Sequence, residues 1–154
     1  LVGQQLGAGR PEQAVAMGWK ALRLATGVML LLSILLAWFA PELANFMIED
    51  PEVERLAVIF IYMIAAVQPV MAGEFVLGGA LRGAGDTRWV MRVSIGLHWL
   101  FSGIAIYLIR YVQADPVAVW CVFIAFVMGL GIVMFLRFRS GKWQRIELIQ
   151  LDGD

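Results

Sequence analysis

Four long stretches of this chain carry no charged residue, and the charges crowd into the segments between them. Leu24–Pro41 and Leu56–Gly73 are 18 residues each, Val93–Ile109 is 17 and Pro116–Leu136 is 21, and the second apolar pattern continues through Glu74 to Leu81. A bilayer core of about 30 Å takes roughly 17–25 helical residues, so each run is long enough to cross it. Inside lipid the backbone can bond only to itself, so the runs predict α-helices. The alternating segments of a transmembrane β-barrel are not in the pattern. The fold class is all-α, a polytopic membrane helix bundle with spans at about 24–41, 56–81, 93–109 and 116–136.

The polar positions mark where these helices start. Asp50-Pro51-Glu52 supplies an N-cap, a proline at the first helical position and an acid in the first turn. Asp115-Pro116 repeats the first two devices, and Asp86-Thr87 can cap the third span. Gly9-Arg10-Pro11-Glu12 opens an amphipathic stretch with Val15, Trp19 and Leu22 on one face and Lys20 and Arg23 off it. Pro11–Arg23 is therefore expected to lie at the membrane surface as a short helix before turning into the first span. Leu1–Ala8 reads as an N-terminal stub, the end of a preceding span. A chain opening on Leu1 with no signal-peptide pattern reads as a piece of a longer polypeptide.

Composition narrows the class further. The 154 residues are 61% hydrophobic and only 16% charged, against about 45–50% and 25% for a soluble domain. A net charge of zero supplies no field for nucleic acid. A lone cysteine, Cys121, excludes an internal disulfide framework and a cysteine metal cluster. The charges also orient the bundle. Arg10, Lys20, Arg23, Arg82, Arg88, Arg92, Arg137, Arg139, Lys142 and Arg145 fall on one side, and only Arg55 and Arg110 on the other. The positive-inside rule puts the first side, with both chain ends and a basic tail at 137–154, in the cytoplasm. The opposite loop carries Glu42, Glu49, Asp50, Glu52 and Glu54, as suits an outer face.

Few residues inside the spans can carry chemistry. Glu74 is the acid among them, eight residues or about 12 Å of helix before Arg82. A carboxylate in an apolar span is costly and marks a cation or substrate site, unless it reaches headgroup water or an arginine. Met71 and Gly78 share its face at spacings of three and four. Gln68-Pro69 lies mid-span, and Pro69 frees the Ala65 carbonyl, which either ligates a cation or substrate or is satisfied by a neighbouring helix. Gln68 and Glu74 sit about 240° apart and do not share a face. Gly73, Gly78 and Gly79 would admit a second helix closely. His98, the single histidine, is either a proton-relay group or a ring hydrogen-bonded across helices. The 8 methionines and the aromatics either line a promiscuous cavity or face lipid. The Arg137–Arg145 stretch, basic and aromatic, is expected to anchor at anionic headgroups.

Two glycine loops, Gly3-Gln4-Gln5-Leu6-Gly7-Ala8-Gly9 and Gly79-Ala80-Leu81-Arg82-Gly83-Ala84-Gly85-Asp86-Thr87, fall on the basic side. Neither matches a nucleotide-phosphate motif, so both read first as helix C-caps, and no cofactor is expected. With their surroundings they say more. Val2-Gly3-Gln4, Leu6-Gly7-Ala8-Gly9 with Ala14, Asp50-Pro51-Glu52-Val53, Gln68-Pro69 and the Gly79–Arg88 loop, with Arg82, Gly83, Gly85, Asp86, Thr87 and Arg88, come in an order and spacing that resembles the multidrug and toxic compound extrusion (MATE) family. The resemblance covers nearly the whole chain. It implies that residues 1–154 are part of the C-terminal lobe of a two-lobe exporter, helices nine to twelve of twelve, in a bacterial cytoplasmic (inner) membrane. It further implies proton or sodium antiport of small amphipathic or cationic compounds, with the missing N-terminal lobe and the lipid bilayer as partners, no nucleic acid, and transient sodium at Glu74 as the one metal contact. A lipid or polysaccharide flippase and a non-transporting membrane scaffold are the alternatives; the spans hold an acid and no Lys or Arg, which favours cationic cargo. An enzyme has the least support, since no nucleophile–base pair lies in the spans.

Overall fold

The computed structural model describes residues 2–145, so the 146–154 part of the expected basic tail lies outside the described residues. Six α-helices follow one another: α1 (Val2–Gly7), α2 (Pro11–Trp38), α3 (Ala40–Met47), α4 (Pro51–Gly83), α5 (Thr87–Tyr107) and α6 (Pro116–Arg139). A π-helical turn, Leu108–Val112, prolongs α5, and a 3-10 turn, Lys142–Arg145, follows α6. Four helical stretches are long and apolar enough to cross a membrane: Pro11–Trp38, Pro51–Gly83, Thr87–Val112 and Pro116–Arg139. No strand occurs among the described residues.

Most of the caps follow the sequence. The Asp50 carboxylate accepts from the Glu52 and Val53 amides at 2.8 and 3.3 Å, and Asp115 accepts from the Val117 amide at 2.8 Å. Both glycine loops are helix C-caps of one kind. Gly85 (φ +90°) donates to the Arg82 carbonyl while the Asp86 amide reaches back to Leu81; Gly9 (φ +71°) donates to Leu6 while the Arg10 amide reaches Gln5. These paired bonds satisfy carbonyls that a helix end leaves open, and the positive φ explains the glycine.

Three details depart from the sequence reading. Pro11–Arg23 does not form a separate surface helix: α2 runs unbroken for 28 residues, about 42 Å, with Ala14 and Gly18 already buried. Lys20 and Arg23 lie on its exposed side, where long basic stems can reach headgroups. The first span ends at Trp38 rather than Pro41, because Pro41 sits in the first turn of α3, a helix the uncharged run concealed. Asp86 occupies the N-cap position of α5, yet its side chain makes no cap and turns elsewhere.

α4 is the centre of the bundle. It packs against α2 and α6 most extensively, and against α1, α3 and α5 as well. Pro69 interrupts it, and the Ala65 carbonyl that loses its helical donor receives the Ser33 hydroxyl of α2 instead. Ser33 is buried and Ala65 with it. Of the two outcomes open for the freed carbonyl, satisfaction by a neighbouring helix is the one found. Against α6 the approach is closer still. A Cβ on Gly131 would stand 2.9 Å from Val70 Cγ1 and 3.1 Å from the Val70 carbonyl, and one on Gly73 would stand 3.9 Å from the Gly131 carbonyl. Gly79, by contrast, is exposed with nothing within 4 Å.

The buried core gathers at the end of the bundle that carries the glycine loops. Leu77 and Leu81 of α4, Met134 and Phe138 of α6, Ala14 of α2 and Trp143 are in it. Phe138 fills the notch left by Gly18, where a Cβ would overlap the ring. Trp143 stacks on Phe138 at 4.9 Å and donates its indole N–H to the Phe138 carbonyl at 2.8 Å. The described part of the basic stretch is therefore not a headgroup anchor in its aromatic residues: Phe138 and Trp143 are buried.

The Ser33 bridge has a testable consequence. Ser33→Ala removes the hydroxyl that donates to a carbonyl deprived of its residue-69 amide, at a cost of about 1–2 kcal/mol. In a Pro69→Ala background the residue-69 amide can bond Ala65 again, so the same substitution is expected to cost much less. Thermal unfolding of the four proteins in detergent reads the coupling; equal costs in both backgrounds would remove the bridge from the account.

Candidate functional site

Glu74 lies on the α6 side of α4. Val70, one turn before it, touches Gly131, and a Cβ on Gly78, one turn after it, would stand 3.9 Å from Met134 Cγ. Its neighbours at i+3, i+4 and i+7, Leu77, Gly78 and Leu81, are all buried, while Glu74 itself is half-buried. Gly78 leaves room for the Arg82 guanidinium to fold back along the helix, its Nη atoms 3.8 and 3.9 Å from the Cβ position. Among the described residues Glu74 forms no ion pair; the one such contact there is made by Arg137 and Asp86. The arrangement leaves an acid in the middle of the packed seam with a guanidinium held one turn beyond it.

The other candidates do not converge on Glu74. Met71 is half-buried on the same face. Gln68 has a buried Oε1 without a hydrogen-bond partner, on a different side of α4. His98 is exposed on α5, its Nδ1 2.6 Å from the Ser94 carbonyl of its own helix, with its ring edge-on to Phe126 of α6 at 4.8 Å. The alternative of a hydrogen bond across helices is thus replaced by one within α5. Phe126 and Phe101 begin an aromatic row that continues through Phe123 and Trp120 to Phe60 of α4. Among the described residues no three His, Cys, Asp or Glu side chains come together as a metal site. An open apolar groove of about 240 Å³ lies beside the Pro69 region, lined by Leu22 and Thr26 of α2, Pro69 and Gly73 of α4, and Gly131 and Phe135 of α6.

The loop residues form a site of another kind, which spacing alone could not reveal. The buried Asp86 carboxylate accepts from Arg137 Nε of α6 at 2.7 Å, and the Arg137 guanidinium lies 4.8 Å over the Trp89 ring. Arg82, Gly83, Gly85, Thr87 and Arg88 are exposed around it. The Thr87 hydroxyl donates to the Arg82 carbonyl at 3.4 Å. α1 completes the contact: a Cβ on Gly3 would overlap the Gly83 carbonyl, so the two glycine loops touch. One acid, one arginine and two close-packed glycines tie α1, α4, α5 and α6 together at this end.

The MatE family profile matches residues 1–108. Among similar proteins, a probable multidrug resistance protein NorM of Mannheimia succiniciproducens is 26% identical over 142 residues, covering 89% of this chain and 30% of that protein. The uncharacterized transporter YisQ of Bacillus subtilis is 25% identical over 144 residues, covering 93% and 32%. A probable NorM of Brucella suis is 30% identical over 151 residues, covering 94% and 31%. The chain spans about a third of the length of these curated relatives. No solved structure gives a significant match.

Removing one partner of this part-buried, charge-assisted pair leaves the other unpaired, at a cost of about 1–3 kcal/mol. Asp86→Ala or Arg137→Ala alone is therefore expected to lower the melting temperature sharply, and the double variant to recover part of the loss. Unfolding curves in detergent measure this; strictly additive losses would mean the two side chains do not depend on each other.

Proposed function

The chain belongs to the MatE family, and from that premise we propose that it is part of a cation-coupled antiporter that exports amphipathic or cationic organic compounds by alternating access. In this reading residues 1–154 are a portion of the C-terminal lobe, helices nine to twelve of twelve, and a second lobe of the same polypeptide closes the cavity. The probable multidrug resistance names of several relatives support the cargo class, and their bacterial sources support a cytoplasmic membrane. Ten of the 12 Lys and Arg residues flank the ends joined by the glycine loops and following α6, which supports a cytoplasmic position for both chain ends.

The observation that carries the proposal is Glu74, an acid in the α4–α6 seam without an ion-pair partner among the described residues. A bare carboxylate there is costly, and binding a proton or a sodium ion removes that cost. Releasing the ion restores a negative site for a cationic molecule. The two ligands then compete, which is the requirement of antiport, and Met71 on the same face offers a soft surface to an organic cation. Gln68, with its unpartnered amide oxygen, and His98 on α5 are proposed as further contacts for cation or cargo.

Glu74→Gln in the full-length protein keeps size and hydrogen bonding but cannot exchange a proton or offer full charge. The proposal expects ion-driven efflux of a cationic dye from proteoliposomes to fall by about 5- to 150-fold, the range of a typical coupling free energy. Glu74→Asp is expected to retain part of it. Unchanged coupled efflux with lowered thermal stability would make Glu74 a structural residue.

A further inference from the structure

α3 has three distinct sides. Ala40 and Ala44, one turn apart, are buried where the helix meets α4. Phe39, Leu43, Phe46 and Met47 follow at i, i+4, i+7 and i+8, so they form a single stripe, and all four are exposed, Phe46 to 88%. Glu42 and Asn45 are exposed along another side, and Glu49 is exposed in the extended segment just past the helix end. An eight-residue helix and its N-cap residue that together present four large apolar side chains to their surroundings are costly in water.

The position of α3 says what meets that stripe. It follows α2 after a single residue, Phe39, at the end of a spanning helix about 42 Å long. That length matches a bilayer including its headgroup layers, about 40–45 Å, so the start of α3 lies at interface depth. Trp38, 76% exposed, stands there as an interfacial aromatic would. The exposed Leu30, Leu31, Ile34 and Leu35 of α2 lead into the stripe without a polar break, so the exposed apolar surface of the span is continuous with it. We infer that α3 is an interfacial helix whose Phe39–Leu43–Phe46–Met47 stripe inserts among phospholipid acyl chains, with Glu42, Asn45 and Glu49 toward water. The local charge is acidic, with Asp50 next to Glu49, so the contact rests on acyl chains and needs no anionic headgroup. The paired alanines hold the helix against α4, so the stripe sets the depth at which the α2–α4 connection rides in its leaflet.

The test uses the full-length protein with its other reactive cysteines replaced, in phosphatidylcholine vesicles. Glu42→Cys, Leu43→Cys, Asn45→Cys and Phe46→Cys each carry a nitroxide, and each variant keeps at least three of the four stripe residues. Power saturation with oxygen, which concentrates in acyl chains, and with a water-soluble nickel chelate reads the surroundings of each label. Oxygen is expected to dominate at positions 43 and 46 and the chelate at 42 and 45. Chelate access at all four positions would overturn the inference, since the stripe would then face water. Shielding of 43 and 46 from both reagents would overturn it as well, since protein would cover the stripe.

Discussion

The helix at the centre of this bundle cannot complete its own backbone. Pro69 leaves the Ala65 carbonyl without a donor, and lipid supplies none, so α4 depends on the hydroxyl of Ser33 from α2. The remaining packing is built around that dependence. α2 must lie against α4 at Ser33, and about four turns earlier Gly18 lies under the Phe138 ring of α6. α6 in turn crosses α4 at Val70 and Gly131, one residue past the proline. A hydroxyl and two glycines thus fix three helices about the interrupted turn.

The bundle is unevenly held along its length. At the glycine-loop end, two matching C-caps, the Gly3–Gly83 contact, the Asp86–Arg137 pair and the stacked Phe138 and Trp143 concentrate buried surface. Toward the other end the spans expose most of their apolar residues, as they would to lipid or to further helices. Glu74 sits half-buried between the tight end and the proline, with no ion-pair partner among the described residues. In the proposed antiporter this placement lets a single ion or cargo molecule act on α4 at the point where its backbone is already interrupted.

The spans were legible because lipid allows the backbone so little choice: an uncharged run of sufficient length has to be a helix. The caps at Asp50, Asp115 and the two glycine loops were legible for a similar local reason. What was hidden depended on neighbours. Lys20 and Arg23 looked like the polar face of a surface helix, but long basic stems on a spanning helix give the same pattern. Pro41 looked like the end of a span because the uncharged run stops only at Glu42, and a count of charges does not register a proline that starts the next helix. Asp86 had the spacing of a cap, and only the fold brings Arg137 close enough to draw its side chain away. Phe138 and Trp143 read as a headgroup anchor because nothing local indicates that Gly18, far along the sequence, leaves a notch for the ring. Glu74 could be singled out from its apolar context, whereas its place on the α6 seam needed the contacts of Val70 and Gly78.

Coupling in the proposed antiporter rests on competition between an ion and a cationic cargo at Glu74. The direct measurement is the number of protons or sodium ions released when a cationic dye binds the purified full-length transporter. About one ion per bound dye is expected in the wild type and none in Glu74→Gln, which has lost the half-buried acid on the α6 side of α4. Dye binding without ion release, or release that survives the substitution, would contradict competition at Glu74.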